Sequence, residues 1–131
     1  MPNIGLKISG NPGISESVDL ILTSTDTNVA SIINALGNNA SVFLRDTIIV
    51  TAAQEITVSG LTFTRNPDAI IEYSGSGNID YIFKINSDDC NLDLNLEYTG
   101  TGTVTSGLVI DGDNNILKEE SLIKMNNGSE G

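Results

Sequence analysis

The chain of 131 residues has the size of a single domain with a modest core, and six basic against 17 acidic side chains give it a net charge of −11. This charge disfavours nucleic acid and anionic membrane surfaces as partners, because both bind proteins through Lys and Arg. The chain has no histidine and one cysteine, which excludes the usual catalytic triads, most zinc sites and an intrachain disulfide, and leaves carboxylates as the common catalytic groups.

The segment 1–25 is rich in Gly, Ser, Asn and Thr, with two short apolar runs at Ile4–Leu6 and Val18–Leu22. Neither run is long enough for a helix, and each is typical of a short strand or of a segment that lies along a partner. We expect a soluble protein in which residues 1–25 form an arm against a neighbouring subunit. Residues 126–131 are expected to be a flexible tail.

A short amphipathic helix is predicted over residues 26–36. Asp26 suits the N-cap, and Gly37 stands where a C′ glycine belongs. The apolar residues between them follow the i, i+3, i+4, i+7 spacing of one helix face: Val29, Ile32, Ile33 and Leu36. This face must be buried, and the end of a sheet is its simplest partner.

After Gly37 the pattern predicts only short strands. The apolar or alternating runs, separated by Gly, Asn, Asp or Ser, are 42–44, 47–50, 56–58, 61–64, 69–73, 81–85, 92–96, 108–110, 115–117 and 122–125. Many short strands with polar turns predict a sandwich, a barrel or a solenoid. Three phenylalanines within these runs, Phe43, Phe63 and Phe83, are expected in the core, as is Cys90.

An internal repeat favours the solenoid. The segment Ile71–Gly77 recurs as Leu96–Gly102, at an offset of 25 in the numbering. The same offset pairs further residues of like kind: Ile79 with Val104, Phe83 with Leu108, Ile85 with Ile110 and Asp88 with Asp113. Beyond Asp113 the alignment slips by one, so that Asn91 meets Asn115. A fixed step of this size is typical of stacked coils.

We therefore interpret residues 26–125 as an all-β, short right-handed parallel β-helix of about three to four coils, with one N-terminal capping helix. Stacked turns align small polar residues, such as Ser74 with Thr99 and Ser76 with Thr101. Paired glycines at equivalent corners supply backbone freedom: Gly75 with Gly100 and Gly77 with Gly102. The alternative is a sandwich with two similar hairpin tips.

This layout, from the capped helix through 41–44, 47–50 and 54–60 to the later coils, resembles the pectate-lyase-like β-helix domains of bacteriophage tailspikes and tail fibres. In that family a helix caps the N-terminal end of the solenoid, and the subunits form homotrimers. The resemblance implies a virion location and contacts with other virion proteins. The chain departs from the family's depolymerases in its short stack and its lack of tryptophan.

A small core also gains from assembly, because a subunit buries apolar surface against its copies. The runs Ile48–Val50 and Ile70–Ile71 break strict alternation, so some of their side chains are expected to point outward. The end of the stack near Leu122–Met125 has no evident cap. These features favour a homotrimer.

Two carboxylate clusters are candidates for chemistry. Asp88 and Asp113 fall on adjacent coils, about 4.8 Å apart, and with Asp93 they form the candidate catalytic set of a glycosidase-type site. Stacked solvated turns place acids together equally well, and that alternative stays open. No cofactor is expected, apart from weak calcium at Asp111, Asp113 and Asn115, which match the first three ligand positions of an EF-hand loop.

A candidate sugar-binding strip is formed by Tyr73 and Tyr98, which are repeat partners, together with Glu72 and Glu97. The alternative is a packed ladder of half-buried rings.

Three functions follow from these patterns. The first is a trimeric structural or adhesion subunit of a virion fibre, tailspike or capsid decoration that supports attachment to a host surface polysaccharide, and it is the function that we expect. The others are a polysaccharide-degrading enzyme and a carbohydrate-binding module.

Overall fold

The computed structural model describes residues 18–119 and 121–125, so the run Ile4–Leu6 and the tail 126–131 lie outside the described residues. The fold is a β-solenoid of about four turns with a single short helix among the described residues, and the predicted fold class is confirmed. Its elements in chain order are β1 Leu20–Leu22, α1 Val29–Leu36, β2 Ser41–Leu44, β3 Ile48–Val50, β4 Gln54–Ile56, β5 Thr62–Arg65, β6 Ile71–Tyr73, β7 Ile79–Ile85, β8 Asn91–Leu92, β9 Asn95–Tyr98, β10 Val104–Ile110, β11 Ile116–Leu117 and β12 Leu122–Lys124.

The strands form three parallel sheets that run along the stack. Sheet A has the order β1-β2-β5-β8-β11, sheet B the order β3-β6-β9-β12, and sheet C the order β4-β7-β10. Each of the three middle turns contributes one strand to each sheet, and the incomplete first and last turns bring the number of levels to five. The first level holds β1 and α1, the next three hold β2–β4, β5–β7 and β8–β10, and the fifth holds β11 and β12.

The core is built from columns of inward side chains, one residue from each level. In sheet B, Ile48, Ile71 and Leu96 are in register and fully buried. In sheet A, Phe63 stacks in register on Leu92 and both are buried. Alternation along each short strand sends every second side chain inward, so a period of two produces a continuous apolar interior.

The repeat at offset 25 is confirmed, but the predicted one-residue slip after Asp113 is wrong. Asn91 pairs with Ile116 instead of Asn115, so the offset is kept. Asp89 and Asn114, which are related by the same offset, both have left-handed backbones, with φ of 62° and 60°. Because the two turns share this conformation, they have the same length and the register passes through unchanged.

The helix begins three residues later than predicted, and Asp26 is not its N-cap. Asn28 occupies that position without a side-chain cap bond. The Asp26 carboxylate instead accepts the backbone N–H of Thr23 at 2.8 Å and closes the turn before the helix. The prediction for Gly37 is confirmed, since it ends the helix with a φ of 91°.

Helix α1 covers the N-terminal edge of sheet C, as expected of a cap. The Asn34 side chain donates to the carbonyl of Glu55 and accepts the N–H of Thr57, both at 2.9 Å. The N–H of Ala30 is bonded to Gln54 Oε1, also at 2.9 Å. Side-chain amides thus satisfy backbone groups that a neighbouring strand would otherwise pair.

Two placements differ from the prediction. Strand β1 pairs in parallel with β2, so the solenoid includes Leu20–Leu22, which the sequence had assigned to the arm. Phe43 is half-buried on the outer face of sheet A, whereas Phe63 and Phe83 lie in the core as predicted. Within residues 18–119 and 121–125, no helix has the length and apolar character of a membrane span.

Candidate functional site

The acidic turns before β8 and β11 do stack on each other. The backbone N–H of Asp113 donates to Asp88 Oδ1 at 2.9 Å, and the N–H of Asp89 donates to the Asp113 carbonyl at 3.0 Å. Asp88 is therefore an acceptor in the ladder that holds successive turns together. The two acids are brought together as the sequence predicts, and the contact between them is carboxylate to backbone.

The calcium candidate lies in the same turn. Asn115 Oδ1 accepts the N–H of Cys90 at 2.9 Å, and Asn115 Nδ2 donates to the Ser87 carbonyl at 2.9 Å. Among the described residues, no group of three or more Asp, Glu or Cys side chains is arranged to hold a metal ion. The amide of Asn115 links two levels, and Cys90 is buried beneath it, as predicted.

Asp93 lies apart from this turn, between β8 and β9. Its carboxylate accepts Arg65 Nε at 2.9 Å, and the Arg65 side chain is only 5% exposed. Arg65 also donates to the carbonyl of Pro67 at 2.8 Å. The ion pair between Asp93 and Arg65 thus links two levels, and Arg65 stabilises the 66–68 turn.

The predicted tyrosine ladder is present, but it faces inward. The rings of Tyr73 and Tyr98 stack with centroids 5.7 Å apart and an interplanar angle of 23°, and both residues are buried. Their hydroxyls donate to the carbonyls of Gly77 and Gly102, respectively. Neither ring presents a face on which a sugar can stack, because both faces are enclosed by the core.

Glu72 and Glu97 lie on the opposite, outer face of sheet B, in register with each other. Glu72 Oε2 accepts the hydroxyl of Thr99 at 2.6 Å, and Glu97 lies 4.0 Å from Lys124 Nζ. These acids are therefore separated from the tyrosines by the sheet. The four residues of the predicted strip are adjacent in sequence, yet alternation divides them between the core and the surface.

A polar cluster on sheet C combines an aromatic ring, a carboxylate, an amide and a cation. Glu55 accepts the Tyr81 hydroxyl at 3.3 Å and Asn86 Nδ2 at 2.9 Å. Lys84 Nζ lies 5.7 Å from the centroid of the Tyr81 ring. Burial, followed by the charge of Glu55, raises the pKa of Tyr81 above its ordinary value of 10.0.

The sequence prediction missed this cluster because its members come from two coils, 26 to 31 residues apart. The offset of 25 pairs Tyr81 with Ser106 and therefore looks only toward the next level. The contact with Glu55 lies toward the preceding level, where no repeat is visible in the sequence. The one available signal was Tyr81 itself, an aromatic residue with a polar tip in a predicted strand.

A surface depression of about 380 Å³ lies between the corners 45–47 and 66–69. Its polar groups serve the turns themselves. Asn66 Nδ2 donates to the Arg45 carbonyl at 3.0 Å, and the Thr47 hydroxyl accepts the N–H of Ile70 at 3.2 Å. The depression is thus the seam between two stacked corners.

No family model, curated protein or solved structure matches this chain. The fold and the contacts described above are accordingly the basis for the function proposed below.

Proposed function

We propose that the chain is a structural or adhesion subunit of a virion fibre, tailspike or capsid decoration, and that it assembles as a homotrimer that supports host-surface attachment. One observation carries the structural role: the conspicuous polar side chains serve the stack. Asp88, Asn115 and the Arg65–Asp93 pair each join neighbouring turns. A chain built this way is suited to rigidity and assembly.

The outer face of sheet B is the surface proposed for the trimer. Ile48 and Val50 point inward and are buried, while Ile49 between them is 49% exposed. An exposed isoleucine on a flat face gains free energy when it packs against a copy. Glu97 and Lys124, which pair with each other within the chain, give the same face charges of both signs that a copy can meet.

Light scattering behind size exclusion tests the trimer. We expect a mass near three times 13.8 kDa for the chain, and a mass near 13.8 kDa for Ile49→Lys, because the new charge cannot be buried at the interface. Val109→Lys, a matched change on the outer face of sheet C, is expected to keep the larger mass. A stable, monodisperse monomer of the unmodified chain would exclude the trimer.

Carbohydrate binding without catalysis is the second candidate function, and the cluster around Tyr81 favours it. A half-exposed ring beside Glu55 and Asn86 offers a stacking surface with polar groups that bond sugar hydroxyls. An array of neutral polysaccharides is the appropriate probe, since the net charge of −11 disfavours anionic ones. Tyr81→Ala should remove binding, and Phe43→Ala, a half-buried outer ring on sheet A, should not.

A polysaccharide-degrading enzyme has less support. Asp88 is bonded to the backbone of Asp113, and Asp93 is paired with Arg65. A glycosidase requires one carboxyl group as a proton donor and a second opposite it. Release of reducing sugar that is lost in Asp113→Asn would revive this function.

A further inference from the structure

The exposed apolar side chains of the described residues concentrate at the two ends of the stack. At the C-terminal end, Ile116 and Leu122 are 58% and 55% exposed, and both lie on the outer faces of their sheets. At the N-terminal end, Ile21 is 52% exposed on the outer face of sheet A, and Val18 is 42% exposed. Leu36 is 41% exposed, so the predicted burial of the whole helix face is wrong at this residue. Exposed apolar surface that collects in one place marks an interaction site, whereas scattered residues do not.

The C-terminal end is an unfinished core. The inner column of sheet A is fully buried at Phe63 and Leu92, but its last member, Leu117, is 39% exposed. In sheet C the column that contains Ile85 ends at Ile110, which is 40% exposed. These side chains point inward, like the other members of their columns. They are exposed because no described residue packs on them from above.

The two ends have complementary shapes. At the N-terminal end, α1 stands in the place of a sheet C strand, and a helix is about 10 Å thick where a strand takes about 4.8 Å. From these dimensions we expect the helix to extend about 5 Å beyond the level of β1. At the C-terminal end, the described part of sheet C stops at β10, one level short of β11 and β12. This leaves a step about 4.8 Å deep, in which a projecting helix fits.

The backbone edges also match. Strands β1 and β11 are the outermost strands of sheet A among residues 18–119 and 121–125, and every pairing between them is parallel. The β1 of a second copy, placed on β11, would continue the same sheet in the same direction. With the register kept, its Leu20 would fall above Leu117, because both belong to the column that runs through Val42 and Phe63.

Charge excludes pairing between two N-terminal ends. Residues 18–44 contain Asp19 and Asp26 and no Lys or Arg, so two such ends repel each other. The fifth level carries Lys118 and Lys124 beside its acids. Lys124 lies beside Glu97 on the outer face of sheet B, so Lys118 is the cation of the C-terminal end that can face Asp19 or Asp26 of another copy.

We infer that a second copy of this chain docks head-to-tail, with its β1 and α1 on the β11, β12 and β10 end of the first. The contact is heterologous, so it repeats along the axis and produces linear stacks. It extends the structural role proposed above by a contact along the axis. The trimer uses the outer face of sheet B and the stack uses the ends, so either association can fail alone.

Two full-length variants test the inference, each altered at one end. The C-end variant carries Ile110→Lys and Leu117→Lys, and the N-end variant carries Val18→Lys and Leu36→Lys. Sedimentation velocity over a hundredfold concentration range should show that the unmodified chain grows with concentration. Each variant alone should stop at the mass of its lateral unit. A 1:1 mixture of the two should regain a species of twice that mass, since it holds one intact end of each kind.

Circular dichroism checks that both variants fold, and Leu117→Lys alone replaces the C-end pair if the double variant does not fold. Ile49→Lys is the control, and it should change the lateral mass while leaving the concentration dependence intact. A mass that stays constant with concentration would overturn the inference. Growth that the N-end variant retains and the C-end variant loses would also overturn it, in favour of pairing between two C-terminal ends.

Discussion

Gly77 and Gly102 occupy the same position of successive coils, yet their surroundings differ. A Cβ atom on Gly102 would overlap the carbonyl oxygen of Gly77, and a Cβ on Gly100 would overlap that of Gly75. A Cβ on Gly77 would have the hydroxyl of Tyr73 as its nearest neighbour, at 4.0 Å. None of the four has a positive φ, so close approach, and not the predicted backbone freedom, explains the glycines in the upper turn.

Gly102→Ala is therefore expected to destabilise the fold by about 2 kcal/mol, because the upper turn must move away from the lower one. Gly77→Ala is expected to change the free energy of unfolding by less than about 0.5 kcal/mol. Urea denaturation of both variants gives the comparison. Equal losses would show that conformation, instead of the distance between turns, selects glycine at this corner.

The Arg65–Asp93 ion pair is a single buried contact between two levels. Arg65→Met leaves a carboxylate without its partner, and we expect a loss of about 3 kcal/mol in the free energy of unfolding. Arg45→Met is the control, since Arg45 and Asp46 are 57% and 43% exposed. That change should cost less than about 0.5 kcal/mol. A similar effect of both substitutions would contradict the importance of burial.

Residue by residue, the sequence predicts apolar positions better than polar roles. The apolar residues at 48, 50, 71 and 96 all lie in predicted strands, and the burial of Cys90 follows from its type. The role of Asp26 could not be predicted, because Asp suits a turn and an N-cap equally well. The turn and the N-cap position lie within three residues of each other in this sequence. Of the two alternatives for Tyr73 and Tyr98, the structure has the packed ladder, because the Gly77 and Gly102 carbonyls satisfy the tyrosine hydroxyls internally.

At the scale of elements, helix α1 works as a substitute strand. Asn34 presents a donor and an acceptor to the edge of β4, the same pair that a strand backbone would offer. We expect Asn34→Ala to cost about 2 kcal/mol, since it leaves two backbone groups of the edge unpaired. Asn28→Ala, which removes a side chain without a cap bond, should cost little. Thermal unfolding compares the two variants, and equal melting temperatures would contradict this role.

Element types were predictable and some boundaries were not. The run 92–96 was predicted as one strand, but it divides into β8 and β9 because a corner at Asp93–Leu94 carries the chain from sheet A to sheet B. Leu94 remains fully buried in that corner, so an apolar residue there did not signal a bend. Strand β4 is Gln54–Ile56 instead of the predicted 56–58, because its polar residues are engaged by the helix and its neighbours.

For the whole molecule, the levels differ in how completely they are enclosed. The third level lies between two complete neighbours, whereas β11 and β12 have a neighbour on one side only among the described residues. We expect hydrogen exchange to be slowest in β6 and β7 and fastest in β11 and β12, with β4 protected by α1. Mass spectrometry at a concentration below that of association measures this order. Uniform protection would show that the stack opens as a single unit.

Because the later coils keep a constant offset, a coil can be added between them without changing either terminal level of the solenoid. A chain in which residues 86–110 are duplicated would gain one complete level of about 4.8 Å, because the later levels pair in the same register. The helix would still close the bottom, and β11 and β12 would still form the top. The fold can therefore be extended, and the number of coil repeats in the sequence sets the length of the solenoid along its axis.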